Sequence, residues 1–338
     1  MKTLKDFNFQ NKKVLLRNDF NVPLSEKSEI LDDFRIKAGL PTINYLLEQG
    51  AAIILISHLG RPEGRETKFS LKPIAERLTK LLDKPVELLD EIVKKKIQPG
   101  QIAILENIRF YKEEEENDKK FAKKLADLAD IYINDAFSAS HREHASIVGI
   151  AKYLPSGMGF LIEKELANLD KILKNPEKPF VVIIGGKKVE TKTKFIDKFS
   201  EMADFVLLGG LLPKEIEEQN IKLKHPEKVI MPIDWLDGTA DIGEKTIELF
   251  KEKIKKARTI FWNGPLGKIE IEKYTKSSRE ISQAIVDSQA FSVVGGGETV
   301  EFITQLGLLD KFSFVSTGGG ATLDYLVDGQ LVGLDALK

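Results

Sequence analysis

The chain has 338 residues, too many for one ordinary core, so two domains are expected, and 42% hydrophobic with 30% charged residues describes a globular protein. Fifty-one basic and 52 acidic side chains give a net charge of −1, so no global field favours nucleic acid and any anion site must be a local cluster. The absence of cysteine excludes disulfides, thiolate metal sites and cysteine catalysis. No apolar run reaches the roughly 20 residues that span a bilayer, and the N-terminus lacks a secretory leader. A cytoplasmic protein with neither membrane nor nucleic-acid partner is predicted.

In chain order, four apolar, β-branched runs come first: "VLLRNDFN" (14–21), "AAIILISHLGR" (51–61), "IAILENIRF" (102–110) and "IYINDAF" (131–137). Near-continuous runs of this kind suit strands buried on both faces of a parallel sheet. Helical stretches such as "IKAGLPTINYLLEQG" separate them, which makes the region α/β. The acidic run Glu113–Glu116 reads as a solvated helix start rather than a metal site. "FLIEKELANLDKILKN" (160–175) has apolar residues at helical spacing and stops at Pro176, as expected of a helix joining two lobes. Five further runs end in glycine: "FVVIIGGKKVETK" (180–192), "FVLLGG" (205–210), "TIFWNGPLG" (259–267), "FSVVGGGET" (291–299) and "FSFVSTGGGAT" (312–322). "KVIMPID" (228–234) is another expected strand. The fold class is therefore α/β, with two doubly wound parallel-sheet lobes flanking a cleft. The expected division is a first lobe over 1–155, a connecting helix over 156–175, a second lobe over 176–320 and a terminal segment over 321–338.

Open α/β sheets bind ligands beyond the carboxyl ends of their strands. In the first lobe those ends carry Arg17, His58, Arg61, Arg109, His141 and Arg142, with Asp19 and Asn21. Guanidinium groups match phosphate and carboxylate oxygens bidentately, so a small, multiply anionic ligand is expected there. In the second lobe glycines at successive strand ends let phosphate oxygens approach backbone amides at helix starts, as for a nucleotide. There is no "GxxxxGK[ST]" and no strand-borne "GxGxxG", so neither a P-loop enzyme nor a dinucleotide dehydrogenase is indicated. Together the lobes suggest phosphoryl transfer, which needs positioning and charge neutralisation above all.

Read in order, "RNDFNVPL", "DDFRIKAGLPTI", "SHLGRPEG", "ENIRFY", "NDAF…HREHASIVGIA", "GFLIEKEL", "IIGGKKV", "WNGPLG", "VVGGGET" and "VSTGGGAT" resemble the phosphoglycerate kinase family over essentially the whole chain. The resemblance implies a cytoplasmic, monomeric enzyme that moves a phosphoryl group reversibly between 1,3-bisphosphoglycerate and MgADP, giving 3-phosphoglycerate and ATP, by closure of the lobes. By motif it assigns 3-phosphoglycerate to Asp19, Phe20, Asn21, Arg35, His58, Leu59, Gly60, Arg61, Arg109 and Arg142. Transfer falls to Arg35, Lys188, Gly297 and Gly319. The nucleotide falls to Lys192, Glu270, Gly296, Gly297, Glu298 and Thr299, with Mg2+ on Glu298. It also implies that "LVGLDALK" returns to the first lobe.

Three departures stand out. Glu298 replaces the family's Asp, Lys187 adds a charge beside Lys188, and the chain is shortened over 209–243, where the family builds much of its adenine pocket. Leu211, Leu212 and Trp235 are candidates to rebuild that wall. A same-fold kinase with relaxed base or donor specificity and a non-catalytic phosphometabolite binder stay open as alternatives.

Overall fold

A computed structural model describes every residue except Lys188, with Glu190 and Thr191 described as backbone only. Two compact units result: Met1–Leu166 together with Gln330–Lys338, and Ala167–Gly329.

The first unit is built on β1 (Lys13–Arg17), β2 (Ala52–Ile56), β3 (Val86–Leu89), β4 (Ile102–Leu105), β5 (Ile131–Asn134) and β6 (Ser156–Met158). All pairings are parallel and the order is β3-β4-β2-β1-β5-β6. β2, β4 and β5 are buried at every residue, which explains their unbroken apolar sequences. One face of the sheet packs Leu16, Ile53 and Leu55 with Ile43 and Leu46 of the helix Phe34–Glu48. The other face packs Leu15, Ile54 and Tyr132 with Phe121 and Leu125 of the helix Lys119–Ala126. Leu337 joins that second cluster, and Gly333 N donates to the Ser140 carbonyl at 2.8 Å, so the chain's last residues complete the first unit. Strand order reverses beside β1, between β2 and β5, with Arg17 level with Ile56 and Asn134.

The second unit contains β7 (Phe180–Ile184), β8 (Phe205–Leu208), β9 (Val229–Ile230), β12 (Thr259–Asn263), β13 (Phe291–Gly295) and β14 (Phe314–Val315), parallel in the order β14-β13-β12-β7-β8-β9. A separate antiparallel ribbon pairs β10 (Trp235–Leu236) with β11 (Asp241–Ile242). Order reverses beside β7, between β8 and β12. Trp262 is wholly buried in the core, with its indole N–H donating to the Gly264 carbonyl at 2.8 Å.

Three sequence expectations change. β3, β6 and the ribbon are too short to announce themselves, at four, three and two residues a strand, and exposed Glu87 interrupts β3. "KVIMPID" contributes only the two residues of β9 to the sheet. The acidic run is not uniformly solvated: Glu113, Glu115 and Glu116 are exposed, whereas Glu114 is fully buried. One turn of helix, Lys112–Glu115, aims that single carboxylate inward.

The helix Phe160–Lys174 leaves the first unit and continues into the second. Its free N-terminal amides are held by Asp135, which follows β5 and accepts from Leu161 N at 2.9 Å and Ile162 N at 3.4 Å. Gly159 leaves room for this carboxylate, because a Cβ there would overlap it. Burial pushes the Asp135 carboxyl up to about 7, against hydrogen bonds from Thr42, Leu161 and Ile162, and Glu163 adds to the rise. Between the unfolded value near 3.8 and about 7 the folded chain therefore holds a proton that the unfolded chain has released. Stability from this group falls as pH rises across that interval. Melting temperatures at pH 5 and pH 8 should drop more for the unaltered chain than for Asp135→Asn, and parallel curves would contradict the assignment.

Candidate functional site

In the first unit the candidate residues gather at the carboxyl edge of the sheet. Arg17 ends β1, Ser57 and His58 follow β2, Asn107 and Arg109 follow β4, and Asn134 ends β5. Asp19 anchors the loop after β1: Arg35 forms an ion pair with it, Ser138 donates its hydroxyl, and Asn21 N donates at 3.0 Å. These partners hold the Asp19 carboxyl far below the ordinary carboxylate range despite its burial. Asn21 accepts from Gly60 N at 2.8 Å, tying the first loop to "SHLGR". Asn107 locks that second loop, donating to the carbonyls of Leu59 at 2.7 Å and Phe69 at 2.9 Å.

Arg109 donates to the Gly60 carbonyl at 2.7 Å and lies 3.1 Å from Glu115. Burial and the neighbouring Arg142 pull its pKa down to about 10, so it is a cation held at some cost beside another. His58 is buried, and desolvation together with Arg17, Arg109 and Arg142 drives its pKa well below 6.5 despite Asp19. His144 falls to about 3 for the same reasons, so both rings are neutral. Phe20 and Leu59 point into the core, leaving only their backbones for a ligand, while Arg61 is exposed. The unit thus concentrates Arg17, Arg35, Arg109 and Arg142 around two buried carboxylates, Asp19 and Glu114.

Glu114 escaped sequence reasoning, as did Ser138 and Ser146. Nothing local separates Glu114 from the acids flanking it, and its partner Ser146 is 32 residues away.

In the second unit the helices Val189–Met202, Leu212–Glu218, Gly297–Gln305 and Gly320–Asp328 start at the carboxyl edge, and the third and fourth of them begin at glycine. Such N-termini present unpaired amides and a partial positive charge. Gly296 caps the third at φ 98, a conformation that favours glycine, and among the described residues none beyond the adjoining chain comes within 4 Å of where a Cβ on Gly297, Gly319 or Gly320 would sit. These three glycines face open space.

The glycines after β7, β8 and β12 have a different cause. A Cβ on Gly185 would strike the carbonyls of Gly264 and Pro265, and one on Gly210 would strike the backbone of Gly186. They let loops pack backbone to backbone at the strand-order reversal, so the glycine-ended strands do not all serve phosphate. Lys192 closes this crossing, donating to the Gly185 carbonyl at 2.6 Å with its Nζ 3.5 Å from Asn263 Oδ1. Burial lowers its pKa to about 8, with Glu298 opposing the shift. Thr299 is buried and accepts from Gly264 N at 3.0 Å. Lys188 lies outside the described residues.

A pocket opens beside these groups, with Leu211, Thr239, Ala240, Lys268, Glu270 and Glu298 among its lining. Glu270 and Glu298 are exposed. Leu211 joins this wall, but Leu212 is buried in the core and Trp235 packs against the second unit's apolar cluster. Thr239 and Ala240, from the turn of the ribbon, also line the pocket.

A family model described as phosphoglycerate kinase matches residues 4–216 and 213–329. The two matched segments meet inside the stretch that the sequence shows to be shortened. The phosphoglycerate kinase of Finegoldia magna is 42% identical over 390 aligned positions, covering 99% of this chain and 98% of that protein. The Borreliella afzelii enzyme is 43% identical over 391, covering 100% and 99%. Both alignments are longer than the 338-residue chain, so these relatives carry internal residues it lacks. The solved phosphoglycerate kinase of Pyrococcus horikoshii superposes with a TM-score of 0.89 at 33% identity, covering 100% of this chain and 98% of that one. The Coxiella burnetii structure gives 0.86 at 34%, covering 99% and 98%. With the fold and essentially the full length matched, the chain belongs to the phosphoglycerate kinase family, the kinases that move a phosphoryl group reversibly between 1,3-bisphosphoglycerate and ADP in glycolysis.

Proposed function

We propose that the first unit holds 3-phosphoglycerate or 1,3-bisphosphoglycerate through Asn21, Arg35, His58, Arg61, Arg109 and Arg142, with Asp19 fixing Arg35. The observation that carries this reading is the arginine cluster at the strand-order reversal, where four arginines, Arg17 and Arg109 buried and Arg35 and Arg142 half-buried, stand against three carboxylates, Asp19, Glu114 and Glu115. An anionic metabolite supplies the missing charge. Phe20, Leu59 and Gly60 shape the loops that carry these side chains.

In the second unit the open amides around Gly296, Gly297 and Gly319 receive nucleotide phosphates, and Lys192 neutralises them. Glu270 faces the ribose. Lys188 belongs to the same assignment by its motif. Arg35, Lys188 and the amides of Gly297 and Gly319 then stabilise charge on the equatorial oxygens of the transferring phosphoryl, where no covalent help from the protein is needed. The transfer has to proceed away from water, which would otherwise compete as acceptor.

The residues fit Mg2+ as a companion of the nucleotide. The described residues form no three-carboxylate or His-bearing metal cage, but Mg2+ retains waters and takes one or two carboxylates plus substrate phosphates. Glu298, exposed in the first turn of its helix and lining the pocket, is the carboxylate available. When bound, the ion would neutralise phosphate charge. A monomer in the cytoplasm acting on small molecules completes the reading.

Three measurements test it. Supplied with 1,3-bisphosphoglycerate and a panel of nucleoside diphosphates, the enzyme should form triphosphate with ADP and discriminate weakly among bases, because the pocket wall is abbreviated. Turnover with none of them would defeat the assignment. The Mg2+ dependence of turnover should shift for Glu298→Asp, and a superimposable titration would place this side chain away from the metal. Finally, Lys192 is protonated below about pH 8, so ADP affinity should weaken as pH rises through that value. Lys192→Arg, permanently charged, should flatten the profile.

A further inference from the structure

Beneath the anion site of the first unit runs a chain of buried polar contacts that starts at a residue outside every motif. Glu114 is fully buried and grips Ser146 twice: Oε2 accepts from Ser146 N at 2.8 Å and Oε1 accepts from its hydroxyl at 2.5 Å. Tyr132 steadies the same segment by donating to the Ser146 carbonyl at 2.8 Å. Ser146 Oγ in turn accepts from Arg17 Nε at 2.9 Å. Arg17, only 1% exposed, brings Nη2 to 3.3 Å from His58 Nδ1. His58 Nδ1 is 3.7 Å from Asp19, which pairs with Arg35.

The direction of every bond is set by chemistry. A guanidinium only donates and a carboxylate only accepts, so the serine hydrogen must point to Glu114 and its lone pair to Arg17. The same rule makes His58 Nδ1 an acceptor, and its neutral ring then carries its one proton on Nε2.

We propose that Glu114 is a positioning residue for the anion site: through Ser146 it orients Arg17, and through Arg17 it fixes His58 as the Nε2–H tautomer that donates to the bound metabolite. This rests on the assignment of the first unit as the phosphoglycerate site. Removing the direction of the relay, not its bulk, should be damaging. In Glu114→Gln an amide NH2 would face either the Ser146 N–H, setting donor against donor and displacing the segment, or its hydroxyl, reversing the bond whose direction Arg17 requires. Ser146→Ala deletes the same bridge with a smaller perturbation of the interior.

The test combines steady-state kinetics with 15N NMR of the imidazoles, tractable because the chain has four histidines. In the unaltered enzyme His58 should be the Nε2–H tautomer. Both variants should show a mixture of tautomers, a KM for 3-phosphoglycerate raised about tenfold and an unchanged KM for ATP, and the double variant should be no worse than either single one. Circular dichroism confirms folding, and Ser146→Ala carries the test should Glu114→Gln not fold. An Nδ1–H ring in the unaltered enzyme, or tautomer and KM both unmoved in the folded variants, would overturn the proposal. Arg109→Ala is the separate control. A raised 3-phosphoglycerate KM there, with the relay variants silent, defeats the positioning role alone. An unchanged KM in Arg109→Ala overturns the site assignment and this inference with it.

Discussion

A parallel sheet whose strand order reverses leaves two neighbouring loops diverging to opposite faces, and the gap between them must be filled by something other than the sheet itself. Both units of this enzyme have that reversal, beside β1 in one and β7 in the other. They fill it by opposite means. In the first unit long charged side chains cross the gap and neutralise one another, with Arg17 and Asp19 almost wholly buried. In the second the backbone closes on itself at Gly185, Gly186, Gly210 and Gly264, and the cation of Lys192 is laid over the crossing. The first solution makes a surface of side-chain donors, suited to a small acid. The second leaves backbone amides as the donors, suited to a string of phosphates.

The cost of the first solution is desolvation. Buried charges are tolerated only when their hydrogen-bonding capacity is met, and removing one partner strands the other. Asp19 meets the condition by gathering Arg35, Ser138 and the Asn21 amide. Arg109 carries its charge under burial and beside Arg142, which is why its affinity for a proton falls.

Much of this was legible in the sequence. Strands buried on both faces are unbroken runs of β-branched residues, so β1, β2, β4, β5, β7, β8, β12 and β13 could be read directly, and with them the residues that follow each one. β3 and β6 could not, because β3 is only four residues with Glu87 among them and β6 is the three residues Ser156–Met158, too short to show a pattern. Glu114 was misread since a charge run is a property of neighbours in sequence, while burial is decided by which side of a single helical turn meets the core. The glycines were over-read in the other direction. Close approach of backbone to backbone and of backbone to phosphate demand the same missing Cβ, and only the surroundings of Gly185 and Gly297 tell the two apart.

The shortened connection in the second unit is held by few groups. Asp234 accepts from Thr246 N at 2.8 Å and Lys245 N at 3.0 Å, fastening the ribbon to the start of the helix Glu244–Lys256, and buried Asp241 binds Ser277. A four-residue turn between β10 and β11 thereby contributes Thr239 and Ala240 to the pocket. Evolvability follows from that economy. A wall supplied by a long packed helix can be reshaped only by moving the helix, with consequences throughout the core. Here half-buried Thr239 and buried Ala240 reach the pocket from a short turn that lies outside the six-stranded sheet.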